Sequence, residues 1–128
     1  MAATVLLLED EEAVRSLVRL VLEAAGFTVL EARDADEALE LCESQQALDI
    51  LLTDVEMPDT TGPQVAGMVA SRSPDTRVLY MSGYTDQAVL RHGVSAGRNA
   101  FLQKPFTPAE LTDKLRAVLA APLDEAQP

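Results

Sequence analysis

Carboxylates at Glu9, Asp10 and Asp54, a hydroxyl at Ser82 and an ammonium at Lys104 each stand where an apolar run stops. Two unit charges ~4 Å apart repel by ~4 kcal/mol at an effective dielectric of 20, so converging carboxylates need a cation or a bound proton. A hard divalent ion with oxygen ligands suits them, and Mg²⁺ takes few carboxylates and keeps several waters. Carboxylates, a metal, a hydroxyl and a lysine make a poor site for a neutral ligand. They make a good one for an anionic group carried by a metal, such as a phosphoryl group. Aspartate is a covalent nucleophile in phosphoryl transfer; the lysine and the metal would neutralise the transferred oxygens, and in-line positioning would supply most of the rate. Taken singly these residues say little: Asp10 can cap a helix, Ser82 suits a turn, and Lys104 is an ordinary solvated charge. Their joint placement carries the inference.

That placement depends on the elements between them. Thr4-Val5-Leu6-Leu7-Leu8 reads as a strand that runs into Glu9-Asp10-Glu11-Glu12. Val14, Leu17, Val18, Val21 and Leu22 then fall at helical spacing, with Gly26 as the stop. Asp10 is the expected cap of this helix, and Glu11 and Glu12 suit its positive end. Residues 27–31 read as a second strand, and Asp34 with Glu37 has the form of a capping box opening a helix that turns Ala38, Leu39 and Leu41 inward. The apolar run ending at Asp54 fits a buried central strand. Pro63 starts a helix reaching about Arg72, in which Gly67 costs ~1 kcal/mol relative to Ala. Residues 77–81 form a fourth strand ending at Ser82. Residues 85–92 are expected to be a short or mobile helix, and 93–99 look irregular. Residues 100–103 form a fifth strand ending at Lys104-Pro105. Thr107, Pro108 and Glu110 then open a last helix with Leu111, Leu115, Val118 and Leu119 as its buried stripe.

Strand and helix alternate with no tight hairpin signal, which predicts a parallel sheet covered on both faces. A doubly wound α/β (βα)5 domain with strand order 2-1-3-4-5 follows, and its switch point lies between strands 1 and 3. Glu9, Asp10 and Asp54 therefore converge, with Ser82 and Lys104 on the same edge. The expected bounds are residues 1–121 for the domain and 122–128 for a flexible tail.

Composition narrows the classes. The net charge of -11 repels phosphate backbones and anionic lipid surfaces, which argues against direct nucleic-acid binding. No apolar run reaches the ~18 residues of a membrane span, and the N-terminus lacks the pattern of a signal peptide. Cys42 is the single cysteine, so no internal disulfide forms, in keeping with a reducing, cytoplasmic setting.

At this level the sequence resembles a two-component response-regulator receiver domain. The matching residues are Glu9-Asp10, Asp54 with Met57-Pro58 and Gly62, Ser82, and Phe101-Leu102-Gln103-Lys104-Pro105-Phe106, in the family's order and spacing. The resemblance implies that Asp54 accepts a phosphoryl group from a histidine of a sensor kinase or a histidine phosphotransfer protein. It implies that Asp10, Asp54 and the backbone carbonyl of Glu56 ligate Mg²⁺, with Mn²⁺ as the alternative ion, and that Glu9 acts mostly through water. Ser82 and Lys104 would bind phosphoryl oxygens, Phe101 would be an aromatic switch, and the bond before Pro105 would be cis. Such a domain is not a stand-alone turnover enzyme; it phosphorylates itself from a donor in a Mg²⁺-dependent step and loses the group slowly. The runs around Ser82-Gly83-Tyr84 and residues 101–108 are similar to receivers at the C-termini of hybrid sensor histidine kinases. A single-domain regulator and a piece of a larger kinase both stay open, as does a homodimer. The acidic pair is Glu-Asp where Asp-Asp is the commoner form, and Glu56 adds a carboxylate near the site.

Three rivals share parts of the pattern. A flavodoxin-type mononucleotide binder has this flavodoxin-like topology but needs a hydroxyl- and glycine-rich loop where Glu9-Asp10-Glu11-Glu12 stands. An aspartyl phosphatase wants a second Asp as acid where Glu56 stands. A phosphate-independent receiver-like interaction module would typically lack Asp54, Lys104 or the acidic pair, and all are present.

Overall fold

The computed structural model describes residues 3–44, 47–55, 57, 60–82 and 100–120, with Ser82 by its backbone alone. The segment 85–92, for which the sequence predicts a short or mobile helix, the irregular stretch 93–99, the residue Glu56 and the tail after 121 lie outside the described residues.

The elements are β1 (Thr4–Leu8), α1 (Glu12–Ala24), β2 (Thr28–Ala32), α2 (Ala35–Ser44), β3 (Ile50–Asp54), α3 (Gly62–Arg72), β4 (Arg77–Ser82), β5 (Ala100–Gln103) and α4 (Pro108–Ala120). All strand pairs are parallel, and the order is β2-β1-β3-β4-β5, the predicted doubly wound arrangement.

Strand alternation divides the core. Successive strand side chains point to opposite faces, so Leu6, Leu8, Leu51 and Tyr80 pack with Ala38 and Cys42 of α2 and Val65 and Val69 of α3. Val5, Leu7, Ile50, Leu52, Leu79 and Met81 pack with Val18 and Leu22 of α1 and Leu111 and Leu115 of α4. Every residue of β3 is buried, as a central strand covered on both faces requires.

Local chemistry sets the helix ends. α1 closes on Gly26 at φ +98°, where an L side chain would be strained. The N–H of Gly26 bonds to Glu23 and that of Phe27 to Leu22, both at 3.0 Å, a Schellman closure. Phe27 is thus spent on the helix, so β2 begins at Thr28 rather than at 27. Asp34 Oδ1 accepts from the Glu37 N–H at 2.8 Å, while Glu37 reaches back to the Arg33 N–H at 2.9 Å. α4 has the expected capping box between Thr107 and Glu110. α3 has one as well, between Thr61 and Gln64, whose Thr-x-x-Gln spacing is a further local signal in the sequence.

Two expectations for α1 are corrected. Asp10 does not cap it: the cap position is Glu11, which makes no side-chain cap bond, because Asp10 lies one residue too early and belongs to the acidic cluster. Leu17 is 63% exposed. It lies about 100° round the helix from Val18, off the stripe formed by Val14, Val18, Val21 and Leu22.

Candidate functional site

Register brings the acids together. Leu8 pairs with Thr53 across β1 and β3, so the next residues, Glu9 and Asp54, come level at the carboxyl edge. β4 and β5 end at the same edge, with Ser82 opposite Gln103, and Lys104 follows one residue later. In open α/β sheets ligands bind at this edge, beside the switch point.

Glu9, Asp10 and Asp54 each offer a carboxylate oxygen within 4.8 Å of the others. Glu9 and Asp54 are buried, at 2% and 7% exposure, and Asp10 is open to solvent. Lys104 Nζ lies 2.6 Å from Asp54 Oδ1 and 3.6 Å from Glu9 Oε1. The second distance is an ion pair without a hydrogen bond. Glu9 Oε1 is buried and has no hydrogen-bond partner, while Oε2 accepts from the Glu11 N–H at 3.1 Å.

The ionisation of these groups follows from the crowding. Burial pushes the Glu9 carboxyl up, and the adjacent Asp54 adds to it; the Glu11 N–H and Lys104 pull the other way without cancelling it. Burial pulls the Lys104 ammonium down, but the bond to Asp54 and the charges of Asp54 and Glu9 outweigh it, leaving Lys104 above its ordinary value. One ammonium thus balances part of the charge of three carboxylates, and the buried Glu9 Oε1 has no hydrogen bond beside its 3.6 Å ion pair with Lys104. A divalent cation with oxygen ligands fits this donor set.

The backbone around Asp54 is tightly built. The buried Thr53 hydroxyl donates to the Asp54 carbonyl at 3.0 Å. Gly62 passes directly over the same carbonyl: a Cβ there would collide with the Asp54 oxygen and press on the Tyr80 ring at 3.2 Å. The Gly62 N–H also donates to the Val55 carbonyl at 2.6 Å. Val55 bonds onward to Met81 of β4 at 3.2 Å. In the sequence Gly62 is only part of a motif; its contact with Asp54 emerges from the packing.

Of the remaining sequence candidates, Phe101 is partly buried against the α2–α3 side of the core and pairs in register with Tyr80. The Lys104-Pro105 peptide bond is cis. The Ser82 side chain and all of Glu56 lie outside the described residues. Arg15 was not singled out from the sequence, yet its Nη1 donates to the Glu9 carbonyl at 2.8 Å.

Comparison with known proteins places these features in context. A family model described as the response regulator receiver domain matches residues 5–116. The sensor kinase CckA of Brucella abortus is 37% identical over 119 residues, covering 92% of this chain and 13% of that protein. The response regulator MprA of Mycobacterium ulcerans is 34% identical over 119 residues, covering 93% of this chain and 51% of that one. The chain thus spans about half or less of these curated relatives. Among solved structures, the Vibrio cholerae chemotaxis protein CheY4 superposes with a TM-score of 0.83 at 31% identity, over 92% of this chain and 99% of that one. The receiver domain of the hybrid histidine kinase CckA superposes with a TM-score of 0.76 at 32% identity, over 91% and 99%.

Proposed function

Because this chain belongs to the response-regulator receiver domains, the phosphoacceptor domains of two-component systems, we propose that Asp54 is the residue that takes the phosphoryl group. The observation that carries this reading is the position of Asp54: a buried carboxylate at the end of the central strand, paired with Lys104 and crowded by two further carboxylates.

Receiver domains bind Mg²⁺ in an acidic pocket. Here Asp10 and Asp54 would hold the ion, with Glu9 mostly through water and the Glu56 backbone carbonyl as a further ligand; Mn²⁺ would substitute. When bound, the ion supplies charge neutralisation for the phosphoryl oxygens.

The protein's own residues do the rest. An Asp54 carboxylate oxygen attacks phosphorus in line with the leaving nitrogen of a phosphohistidine; the P–N bond breaks, a P–O bond forms, and the imidazole leaves with the electron pair. Lys104 stays on the acceptor and meets the new negative charge on the phosphoryl oxygens. Ser82, one strand across, would donate its hydroxyl to the same oxygens. Phosphorylation then shifts a conformational equilibrium by the difference in these contacts between two states, with Phe101 as the aromatic that follows Ser82. The donor is the histidine of a sensor kinase or of a phosphotransfer protein, and small phosphodonors would serve in its place. The likeness to the CckA receiver favours a larger hybrid kinase as the parent, with this chain as its cytoplasmic domain.

The test is intact mass after incubation with acetyl phosphate, with Mg²⁺, with EDTA, and on Asp54→Asn. A metal-dependent gain of one phosphoryl group, lost in the variant, is expected. No gain, together with no binding of beryllofluoride by the folded protein, would overturn the reading in favour of a phosphate-independent interaction module.

A further inference from the structure

Glu9 is held by its backbone at both ends. Its N–H donates to the Ala32 carbonyl of β2 at 3.1 Å. Its carbonyl accepts from Arg15 Nη1 of α1 at 2.8 Å. That carbonyl belongs to the peptide plane joining Glu9 to Asp10, so whatever holds it restrains ψ of Glu9 and φ of Asp10, the backbone rotations that help to aim the two carboxylates. Arg15 is fixed in turn: its Nε donates to Glu31 Oε1 at 3.3 Å, and Glu31 is the neighbour of Ala32. The other Glu31 oxygen lies 3.3 Å from Arg19 Nε. The Arg15 side chain is only 15% exposed, and a planar guanidinium can serve both partners in one geometry, which an ammonium cannot.

We propose that Arg15, anchored by Glu31, is a positioning residue for the acidic cluster: it sets the Glu9–Asp10 peptide so that the two carboxylates and Asp54 converge on a divalent cation. The proposal rests on the cation reading of the cluster given above. Arg15 touches no carboxylate of the cluster and acts through the Glu9 carbonyl. Partners of metal ligands commonly change metal affinity by about 10–100-fold when lost.

Charge and geometry predict opposite signs, which makes the proposal decidable. Removing a cation near three carboxylates should, by Coulomb attraction alone, tighten binding of a divalent ion. Removing a positioning group should weaken it.

The experiment is Mn²⁺ binding to the purified protein, read by the loss of the free-ion EPR signal, at a temperature where melting curves in EDTA show each variant folded. Arg15→Met should bind Mn²⁺ about tenfold more weakly than wild type. Arg15→Lys, which keeps the charge and loses the fork, should also bind more weakly, and Glu31→Gln by a smaller factor. Asp10→Asn is the control for the underlying reading. If wild type binds no better than Asp10→Asn, the cation reading fails and the proposal with it. If Asp10→Asn loses binding while Arg15→Met and Arg15→Lys bind as tightly as wild type or tighter, the cation reading stands and the positioning role is overturned. Should Arg15→Met not fold, unchanged affinity in Arg15→Lys and Glu31→Gln overturns it equally.

Discussion

Lys104 Nζ sits 2.6 Å from Asp54 Oδ1, although β4 runs between the strands that carry them. The lysine reaches over the end of β4 to the neighbouring acid, and so spans the edge on which the site is built.

Replacing Lys104 with Ala should separate two properties. Breaking a fully buried ion pair from one side costs ~3–5 kcal/mol. Lys104 is 34% exposed, and solvent screening reduces the expected loss to ~1–2 kcal/mol. The melting temperature in EDTA should fall and should largely recover when Mg²⁺ takes over the neutralisation. Hydrogen exchange before and after phosphorylation should show a change in wild type that Lys104→Ala lacks, with Mg²⁺ binding retained. Equal loss of metal binding and of the phosphorylation response would contradict this division of labour.

The crowding of Glu9, Asp10 and Asp54 around one ammonium predicts stabilisation by metal. A ligand that binds only the native state adds ~2.7 kcal/mol at 100 times its dissociation constant. Mg²⁺ at that excess should raise the melting temperature of wild type and leave Asp10→Asn nearly unmoved. A scan showing no rise in wild type would remove the cation from the site.

Two glycines should respond in opposite ways to the same change. Gly62→Ala drives a methyl group into the Asp54 carbonyl, and overpacking of this kind costs ~1–3 kcal/mol; slower phosphorylation from acetyl phosphate should accompany it. Gly67 is exposed in α3 with nothing near its absent Cβ. Gly67→Ala should therefore stabilise by ~1 kcal/mol with no effect on phosphorylation. Urea unfolding and intact mass on the two variants check both.

Alkali should find Tyr80. Burial pushes its phenol from 10.0 up to about 12. In that window the folded state holds a proton that the unfolded chain releases, so the stabilisation is complete below the unfolded value and is lost as pH rises through the folded one. That difference corresponds to roughly 3 kcal/mol. Urea midpoints should fall more steeply between pH 10 and 12 in wild type than in Tyr80→Phe. Parallel curves would show that Tyr80 is not the group responsible.

Much of this was legible along the chain because the signals are local. The apolar run into Asp54, the stop at Gly26 and the caps at Asp34 and Thr107 each involve residues a few positions apart, and each became the element expected. Misreadings came where neighbours compete: Phe27 was claimed by the end of α1, and Leu17 has the right type but the wrong side of the helix.

The alternation of strands and helices, and with it a parallel doubly wound sheet whose strand ends carry Glu9, Asp10, Asp54, Ser82 and Lys104, follows from the order of residues along the chain. The folded chain adds that Glu9 is buried while its neighbour Asp10 is exposed, that Lys104 rests on Asp54, that Gly62 roofs the Asp54 carbonyl, and that Arg15 ties Glu31 to the Glu9 peptide. The reason is range. Propensity, capping and side-chain period act over a few residues and can be read in order, whereas these contacts exist only after crossover handedness and strand register have brought distant segments to one edge.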